Sequence, residues 1–309
     1  MRPLSPQTCV KLFVTGATVG PLVDSLHNQC LLKYDVLPIS IVLPPMAMPM
    51  AMPIIENGYY DYWFTSSWTV PPLLGVAYVV LGGILPRLFE ALLWKSGMVM
   101  MMGPQQQQEE VTTILQQEEL PWESQPQQQQ QQDEEPLKRR AILAVGTTAL
   151  IIKLSEYLET TNNSIVDNGG GGGGGPLFNL LVLLSAALGQ WAILDGSLSA
   201  LLAASVTSIG GPLSELPFVG HGVWVYLDSA RDYYPLAGLV PGSSWWSDNS
   251  SNGLLTWLLG VSDYTNLGLS SITGPCYFAV TMDAIALGRW FDAMQEKKEE
   301  EEGPASEAQ

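Results

Sequence analysis

The sequence has few charged residues for its length. Asp, Glu, Lys and Arg make up only 14% of its 309 residues, against about 25% in typical soluble domains. Many of the acids lie in two tracts, Glu109 to Glu135 and Glu296 to Glu307. The rest of the chain is therefore almost free of charge, which argues against an ordinary water-soluble domain.

The chain also lacks the residues that several kinds of chemistry require. Cys9, Cys30 and Cys276 lie too far apart to suggest a disulfide framework or a metal motif. His27 and His221 are the only imidazoles, which disfavours a zinc site or a His-based catalytic triad. The net charge of −17 comes without a basic stripe, which disfavours nucleic acid as a partner. Zinc chemistry, a His-based triad and nucleic-acid binding are therefore disfavoured.

What the sequence does contain is a set of long apolar segments. A membrane-spanning helix needs about 20 mostly apolar residues, because each residue rises about 1.5 Å through a layer of about 30 Å. These segments predict an all-α polytopic membrane protein, a bundle of six transmembrane helices with disordered loops and tail. The six predicted spans are Cys9 to Leu26, Val70 to Trp94, Ala141 to Leu158, Leu177 to Leu194, Leu198 to Val219 and Ile272 to Trp290.

The spans and the biased segments between them divide the chain into seven parts. Residues 1–67 hold the first span and a Pro/Met-rich luminal loop, whose prolines exclude a regular helix from Val36 to Ile55. The later parts are span two (68–95), a disordered Gln/Glu-rich cytosolic loop (96–137), spans three to five with a luminal Gly tract (138–226), a luminal or interfacial insertion (227–270), span six (271–292) and an acidic cytosolic tail (293–309).

Two independent patterns predict the orientation. With both termini in the cytosol, most Lys and Arg residues fall on the cytosolic side, as the positive-inside rule requires. The same topology places the glycosylation tripeptides at Asn162 and Asn249 in the lumen. Together they predict a multi-pass protein of the endoplasmic reticulum membrane.

Small and acidic residues within the spans are candidates for function. In WTVPPLLGVAYVVLGGILP, Gly75 and Gly82 lie two turns apart on one side of span two. Such glycines either let helices pack closely or leave a crevice for a lipid. Ionisable residues are costly inside a membrane, so Asp24, Asp195 and Asp283 are also candidates. A membrane enzyme or transporter that uses Asp283 is a less favoured alternative.

The span-two segment WTVPPLLGVAYVVLGGILP, from Trp68 to Pro86, resembles the second-helix signature of the insulin-induced gene (INSIG) proteins. Further similarities follow in the same order in spans three, four and six, so that the resemblance extends over most of the chain from Trp68 to Arg289. The matching residues are Trp68, Val70, Pro71, Pro72, Gly75, Gly82, Pro86, Val145, Gly146, Lys153, Gly189, Trp191, Asp195, Pro275, Cys276, Phe278, Gly288 and Arg289.

The resemblance implies an INSIG-type six-helix bundle that binds an oxysterol-type sterol, or diacylglycerol as in related microbial proteins, between its helices. Ala144 and Phe178 stand at family positions near the sterol, and Asn179 is a neighbouring amide. With Gly75 and Trp191, these residues form the predicted ligand site, in a crevice lined by spans two to five.

The resemblance also implies partners. Asp195 matches the acid that the family requires for binding its scaffold. By this resemblance we expect a sterol- or lipid-sensing regulator that is not an enzyme and has no metal or other cofactor apart from its lipid ligand. It would retain or destabilise membrane clients of sterol synthesis, of the SCAP/SREBP or HMG-CoA reductase type, through their sterol-sensing helices. A ligand-independent membrane scaffold is the alternative.

The predicted topology can be tested directly. Because Asn162 and Asn249 both face the lumen, both are expected to carry glycan, and carbonate washing is expected to leave the protein in microsomes. Gel mobility of Asn162→Gln and Asn249→Gln variants, before and after endoglycosidase treatment, measures this. Release by carbonate, or a glycan at only one site because the other faces the cytosol, would contradict the topology.

Overall fold

The computed structural model describes residues 3–28, 31–42, 62–96, 125–167, 175–237, 257–261 and 267–302. These residues are mostly helical. The main elements are α1 (Pro6–Asn28), β1 (Leu32–Tyr34), β2 (Pro38–Val42), β3 (Tyr62–Ser67), α2 (Val70–Tyr78), a π segment (Val79–Ile84), α3 (Leu85–Lys95), α4 (Gln125–Asp167), α5 (Pro176–Leu194), α6 (Leu198–Gly220), β4 (Trp224–Tyr226) and α7 (Thr273–Glu302).

The helices coincide with all six predicted spans, and four of them meet the requirements for crossing a membrane. By length and composition, the four are Pro6–Leu26, Val70–Lys95, Glu135–Thr160 and Pro176–Leu194. Only 28 to 33% of each apolar window is buried within the protein. Large apolar side chains such as Leu150 and Ile193 are 70% and 82% exposed. Contiguous apolar surface of this kind is typical of contact with lipid, so the fold is compatible with an all-α membrane protein.

The other two helices of the described residues, α6 and α7, do not meet these requirements, and α7 lies at the centre of the bundle. α7 packs against α1, α4, α5, α6 and the π segment. Its residues Phe278, Met282 and Ile285 are buried. Because protein surrounds this helix, it tolerates polar residues that a lipid-facing helix would expose at high cost. Six crossings therefore remain a prediction, with α6 and α7 as the two not supported by hydropathy.

Two small antiparallel sheets depart from the all-α prediction. β1 pairs with β4, with Tyr34 opposite Trp224, and β2 pairs with β3, with Pro38 opposite Ser67. These strands link segments far apart in the chain, so local sequence patterns do not predict them. The β2 strand lies in the Pro-rich stretch and confirms that its start is not helical.

Two predicted disordered segments are helical in part. α4 begins at Gln125, inside the predicted loop 96–137, and α7 continues to Glu302, inside the predicted tail 293–309. Gln, Glu and Lys have high helix propensity, and a helix that is already formed extends with little further cost. The structure therefore has helix where disorder was predicted, at residues 125–137 and 293–302.

The π segment is the point of closest contact in the bundle. A Cβ atom on Gly82 would lie 2.2 Å from the Ala284 carbonyl oxygen, and one on Gly288 would lie 2.2 Å from the Gly82 oxygen. Real Cβ atoms do not approach an oxygen so closely, so only glycine lets these two backbones meet. Gly75 is covered by the Phe13 ring, which lies 2.8 Å from the place that a Cβ atom on Gly75 would occupy. These glycines pack helices together and do not leave the crevice that was the other possibility.

Side-chain pairs hold the end of the bundle where α1 begins. Arg87 of α3 forms an ion pair with Asp292 of α7 and also donates to the Gly83 carbonyl at 2.6 Å. The second carboxylate oxygen of Asp292 accepts from the Thr8 hydroxyl at 2.9 Å. The contacts thus join α1, α3 and α7.

The close contact between the π segment and α7, called the crossing below, predicts that glycine-to-alanine substitutions differ in their effect on stability. Gly82→Ala and Gly288→Ala are each expected to reduce the free energy of unfolding by about 1–3 kcal/mol, because the added methyl group overpacks the contact. Gly146→Ala is the matched control, since nothing lies within 4 Å of the place that its methyl group would occupy. That change is expected to stabilise α4 by about 0.5–1 kcal/mol. Thermal unfolding in detergent, followed by circular dichroism, compares them, and equal midpoints for all three would refute the crossing.

Candidate functional site

A partly open cavity of about 100 Å³ lies at the end of the bundle beside the β1–β4 sheet. α1 and α6 end near it, and α2 and α7 begin there. Its walls are mainly apolar, with hydroxyl and carboxyl groups among them. The lining residues are Gly20, Val23, Asp24, Leu32, Tyr34, Val70, Leu73, Leu74, Tyr78, Ile152, Glu215, Trp224, Tyr226, Thr273, Cys276, Tyr277 and Val280.

The β1–β4 sheet supplies one aromatic wall of the cavity. Alternate residues of a strand point to the same face, so Trp224 and Tyr226 of β4 lie on one side. Their partners across the sheet, Tyr34 and Leu32, lie on that side too. Phe218 of α6 stacks on Trp224 with a centroid distance of 4.7 Å. The wall is therefore fixed both by strand pairing and by stacking on a helix.

Two carboxylates line the cavity, and tyrosine hydroxyls hold both. Tyr34 donates to Asp24 Oδ2 at 2.5 Å. Glu215 accepts from Tyr226 at 2.5 Å and from Tyr277 at 2.8 Å. Burial raises the pKa of Tyr226 well above its usual range, so that its hydroxyl remains a neutral donor. Hydrogen bonds of this kind fix the positions of both carboxyl groups.

A third carboxylate lies behind the cavity wall. Tyr78 lines the cavity, and its hydroxyl donates to Asp283 Oδ2 at 2.8 Å. Asp283 is fully buried, and its Oδ1 atom has no hydrogen-bond partner among the described residues. Tyr78 therefore connects the cavity to the polar centre of α7. A polar group buried in this way needs a hydrogen-bond partner, and Tyr78 supplies the donor to Asp283 from a different helix.

The predicted ligand residues do not line this cavity. Ala144 is buried, and its carbonyl accepts from Gln190 at 3.3 Å. Phe178 is 54% exposed on the surface of α5. α5 contributes no lining residue, whereas α1 and α7 do, so the expected crevice among spans two to five is not where this cavity lies. At Gly75, where a crevice was possible, the Phe13 ring fills the space instead.

The remaining predicted ligand residues lie apart from one another. Asn179 is buried near the start of α5, with 2% of its surface exposed. Trp191 lies near the other end of α5, where its indole donates to the Ser197 carbonyl at 2.9 Å. Gly75 is the residue covered by Phe13. A ligand-binding role for these residues stays a prediction.

Asp195, the predicted partner-binding residue, is engaged within the chain. It forms an ion pair with Arg289 of α7, and its other oxygen accepts from the Ser197 backbone at 2.9 Å. Its side chain is only 6% exposed. Arg289 also reaches the Ser197 hydroxyl at 3.2 Å. Asp195 thus fixes the α5–α6 turn to α7, and its role in partner binding stays a prediction.

Sequence reasoning missed Glu215, the most buried acid of the cavity. It lies within the predicted fifth span, and an ionisable residue in a span is a sufficient reason to consider it. Tyr226 and Tyr277 gave no such signal, because tyrosine is common both in cores and at membrane interfaces. Of the glycosylation sites, Asn162 lies in the last turns of α4 and Asn249 lies outside the described residues.

Neither a metal-binding cluster nor a known relative identifies the site. Among the described residues, no group of three or more His, Cys, Asp or Glu side chains could hold a metal ion. Comparison of the chain with protein-family models, curated protein sequences and solved structures gave no match.

The Asp195–Arg289 pair can be tested by a double-mutant cycle. Asp195→Asn and Arg289→Gln are each expected to reduce the free energy of unfolding by about 1.5 kcal/mol, near the low end for a charged hydrogen bond, because the Arg289 side chain is 36% exposed. The double variant is expected to lose less than the sum. Lys153→Gln, from an exposed pair with Glu156, is the control. Additive losses across the cycle would exclude a direct pair.

Proposed function

We propose that this protein is a lipid-responsive regulator of a membrane, similar in role to the INSIG proteins. It would bind a sterol or another lipid between its helices in the endoplasmic reticulum, and retain or destabilise client membrane proteins of sterol synthesis. The observation that supports this most is the cavity of about 100 Å³ between apolar helices. Its apolar walls and its few fixed polar groups are typical of small-molecule sites.

The size of the cavity limits how a lipid would bind. Pockets for drug-sized ligands measure roughly 300–1,000 Å³, so this cavity holds one polar end of a lipid and not a whole sterol nucleus. Leu73 lines the cavity and is 40% exposed. The remainder of the ligand would leave beside Leu73 and lie along the outer apolar surface of the bundle.

Regulation requires that the ligand distinguish two states of the protein. A ligand shifts an equilibrium only by its difference in affinity for the two states. The cavity is lined by α1, α2, α4, α6, α7 and the β1–β4 sheet. A lipid in the cavity would therefore affect how most of the helices pack against one another. The outer faces of the same helices are the surfaces that a client helix could contact.

The second candidate is a scaffold that binds clients without a ligand. The glycine contacts favour it, because the space beside Gly75, Gly82 and Gly288 is filled by neighbouring atoms of the same chain. A bundle packed in this way holds its shape without a lipid.

Photoreactive lipids distinguish these functions. A photoreactive sterol and a photoreactive diacylglycerol, each applied to the purified full-length protein, are expected to give saturable labelling that the unlabelled lipid displaces. Val280→Phe is expected to reduce labelling about tenfold or more, because the larger ring fills a cavity of about 100 Å³. Phe178→Ala changes an exposed side chain and is expected to leave labelling unchanged.

Thermal unfolding of both variants checks that they are folded, and co-purification of a membrane protein with sterol-sensing helices reports client binding. Absence of competable labelling by either lipid would overturn the proposal. If the wild-type protein recovers the client equally with and without lipid, and Val280→Phe recovers as much client as the wild type, the scaffold function is correct instead.

A further inference from the structure

An open groove lies on α4, apart from the cavity beside the β1–β4 sheet. It measures about 850 Å³, and its described lining residues all belong to α4, between Glu135 and Leu143. Three of them, Lys138, Arg139 and Arg140, are basic. We propose that this groove binds a membrane lipid whose head group is a phosphate monoester, as in phosphatidic acid. This second site goes beyond the proposed function and does not depend on the cavity.

The groove lies at the end of the bundle where α1 begins. Ala141, which follows the basic residues, belongs to a buried cluster with Leu12 of α1 and Phe291 of α7. The acids Asp133 to Glu135 come earlier in α4, and each residue of a helix rises about 1.5 Å. The bases Lys138 to Arg140 are therefore about one turn closer to the apolar part of the helix, at the level where a flanking cation meets lipid head groups.

The arginines of the groove have no anion of the protein to pair with among the described residues. Two other arginines of the bundle, Arg87 and Arg289, each form an ion pair with an aspartate. Arg139 and Arg140 are exposed and form no such pair within the described part of the chain. Lys138 has only a 3.7 Å contact with an exposed carboxylate of the preceding turn, and such pairs contribute little. These cations are therefore available to an anion of the membrane.

The number of hydrogen-bond donors favours a phosphate monoester over other anionic head groups. Each guanidinium can donate two parallel hydrogen bonds to one phosphate, and the ammonium of Lys138 adds three donors. A monoester offers three terminal oxygens and close to two negative charges near neutral pH. A phosphodiester, as in phosphatidylglycerol, offers two such oxygens and one charge. Because Arg139 and Arg140 line the same groove, both can contact one phosphate.

An exposed apolar strip continues from the groove along α4. Residues three or four apart lie on the same face of a helix, which aligns Arg139, Leu143, Gly146 and Leu150. Leu143 and Leu150 are 46% and 70% exposed. Nothing lies within 4 Å of the place that a Cβ atom on Gly146 would occupy. An acyl chain can therefore lie across Gly146 while its phosphate contacts the arginines, which favours a lipid over a soluble phosphate.

Competition among lipids tests the head group. The full-length protein is placed in phosphatidylcholine nanodiscs with a photoreactive phosphatidic acid, and unlabelled lipids displace it. Phosphatidylglycerol is supplied at twice the mole fraction, so that the discs carry about equal charge. Phosphatidic acid is expected to bind at least about 10-fold more tightly, because the diester makes fewer charged hydrogen bonds. Glycerol 3-phosphate is expected to compete weakly, because it lacks the acyl chains.

Variants of the protein give a second, independent measurement. The double variant Arg139→Gln/Arg140→Gln is expected to weaken binding of phosphatidic acid by about 10-fold or more and to remove the preference over phosphatidylglycerol. Gly146→Phe is expected to weaken it several-fold, because the ring occupies the path of the acyl chain. Lys297→Gln/Lys298→Gln removes the same charge from α7, outside the groove, and is the control. Thermal unfolding checks that each variant is folded.

Three outcomes would overturn this inference. The first is equal binding of phosphatidic acid and phosphatidylglycerol at equal charge. The second is unchanged binding in the arginine double variant. The third is binding only after the acids of the preceding loop, Glu109, Glu110, Glu118, Glu119 and Glu123, are changed to Gln, since these acids would then be the occupant of the groove.

The cavity variant separates this inference from the proposed function. Val280 lines the cavity and not the groove, so Val280→Phe is expected to leave binding of phosphatidic acid unchanged. A loss in that variant would overturn a separate site on α4. Binding of phosphatidic acid without competable labelling by sterol or diacylglycerol supports the groove and overturns the proposed function. The reverse result overturns the groove alone.

Discussion

The contact between the π segment and α7 determines how the rest of the bundle is arranged. At Gly82 and Gly288 the two backbones meet with no room for a side chain. α7 is therefore held at the centre, where it packs against α1, α4, α5 and α6 as well. A π segment is an irregularity that often occurs at functional sites, and here it brings Tyr78 to Asp283. Central placement in turn allows α7 to carry Asp283 and Thr281 fully buried, because no lipid contacts them.

The sequence was sufficient to predict the helices, because a span is a local property of composition and length. Each of the six predicted spans is helical, from Cys9 to Leu26 through to Ile272 to Trp290. It was insufficient where distant segments meet. The β1–β4 pairing joins Tyr34 to Trp224 across almost two hundred residues, and no local pattern specifies such a partner. Boundaries such as Gln125 were also missed, since glutamine tracts fit both a disordered loop and an extension of a helix.

The candidate site was predicted less well, for a related physical reason. A glycine in a span is equally consistent with a crevice and with close packing, and only the neighbouring helix decides between them. Phe13 and Ala284 occupy the space beside Gly75 and Gly82, so the cavity formed elsewhere. Asp24 was recognisable as costly inside a membrane, and Glu215 equally so. Asp24 and Glu215 line one cavity because α1 and α6 end at the same end of the bundle. That arrangement is a property of the tertiary structure, which no local sequence pattern specifies.

A continuous series of contacts joins the cavity to Asp195. Tyr78 lines the cavity and donates to Asp283. Asp283 is followed by Ala284 and, one turn later, by Gly288, the two residues that meet Gly82 at the crossing. Arg289 comes next and pairs with Asp195. Under the proposed function, a lipid that displaces Tyr78 acts on one side of a crossing that has no free space. Because a close-packed contact transmits displacement and does not absorb it, α7 would have to move as a unit, and the Asp195–Arg289 pair would move with it. Under that function, α7 at this crossing is a structural element shared by a change at the cavity and a change at the Asp195–Arg289 pair.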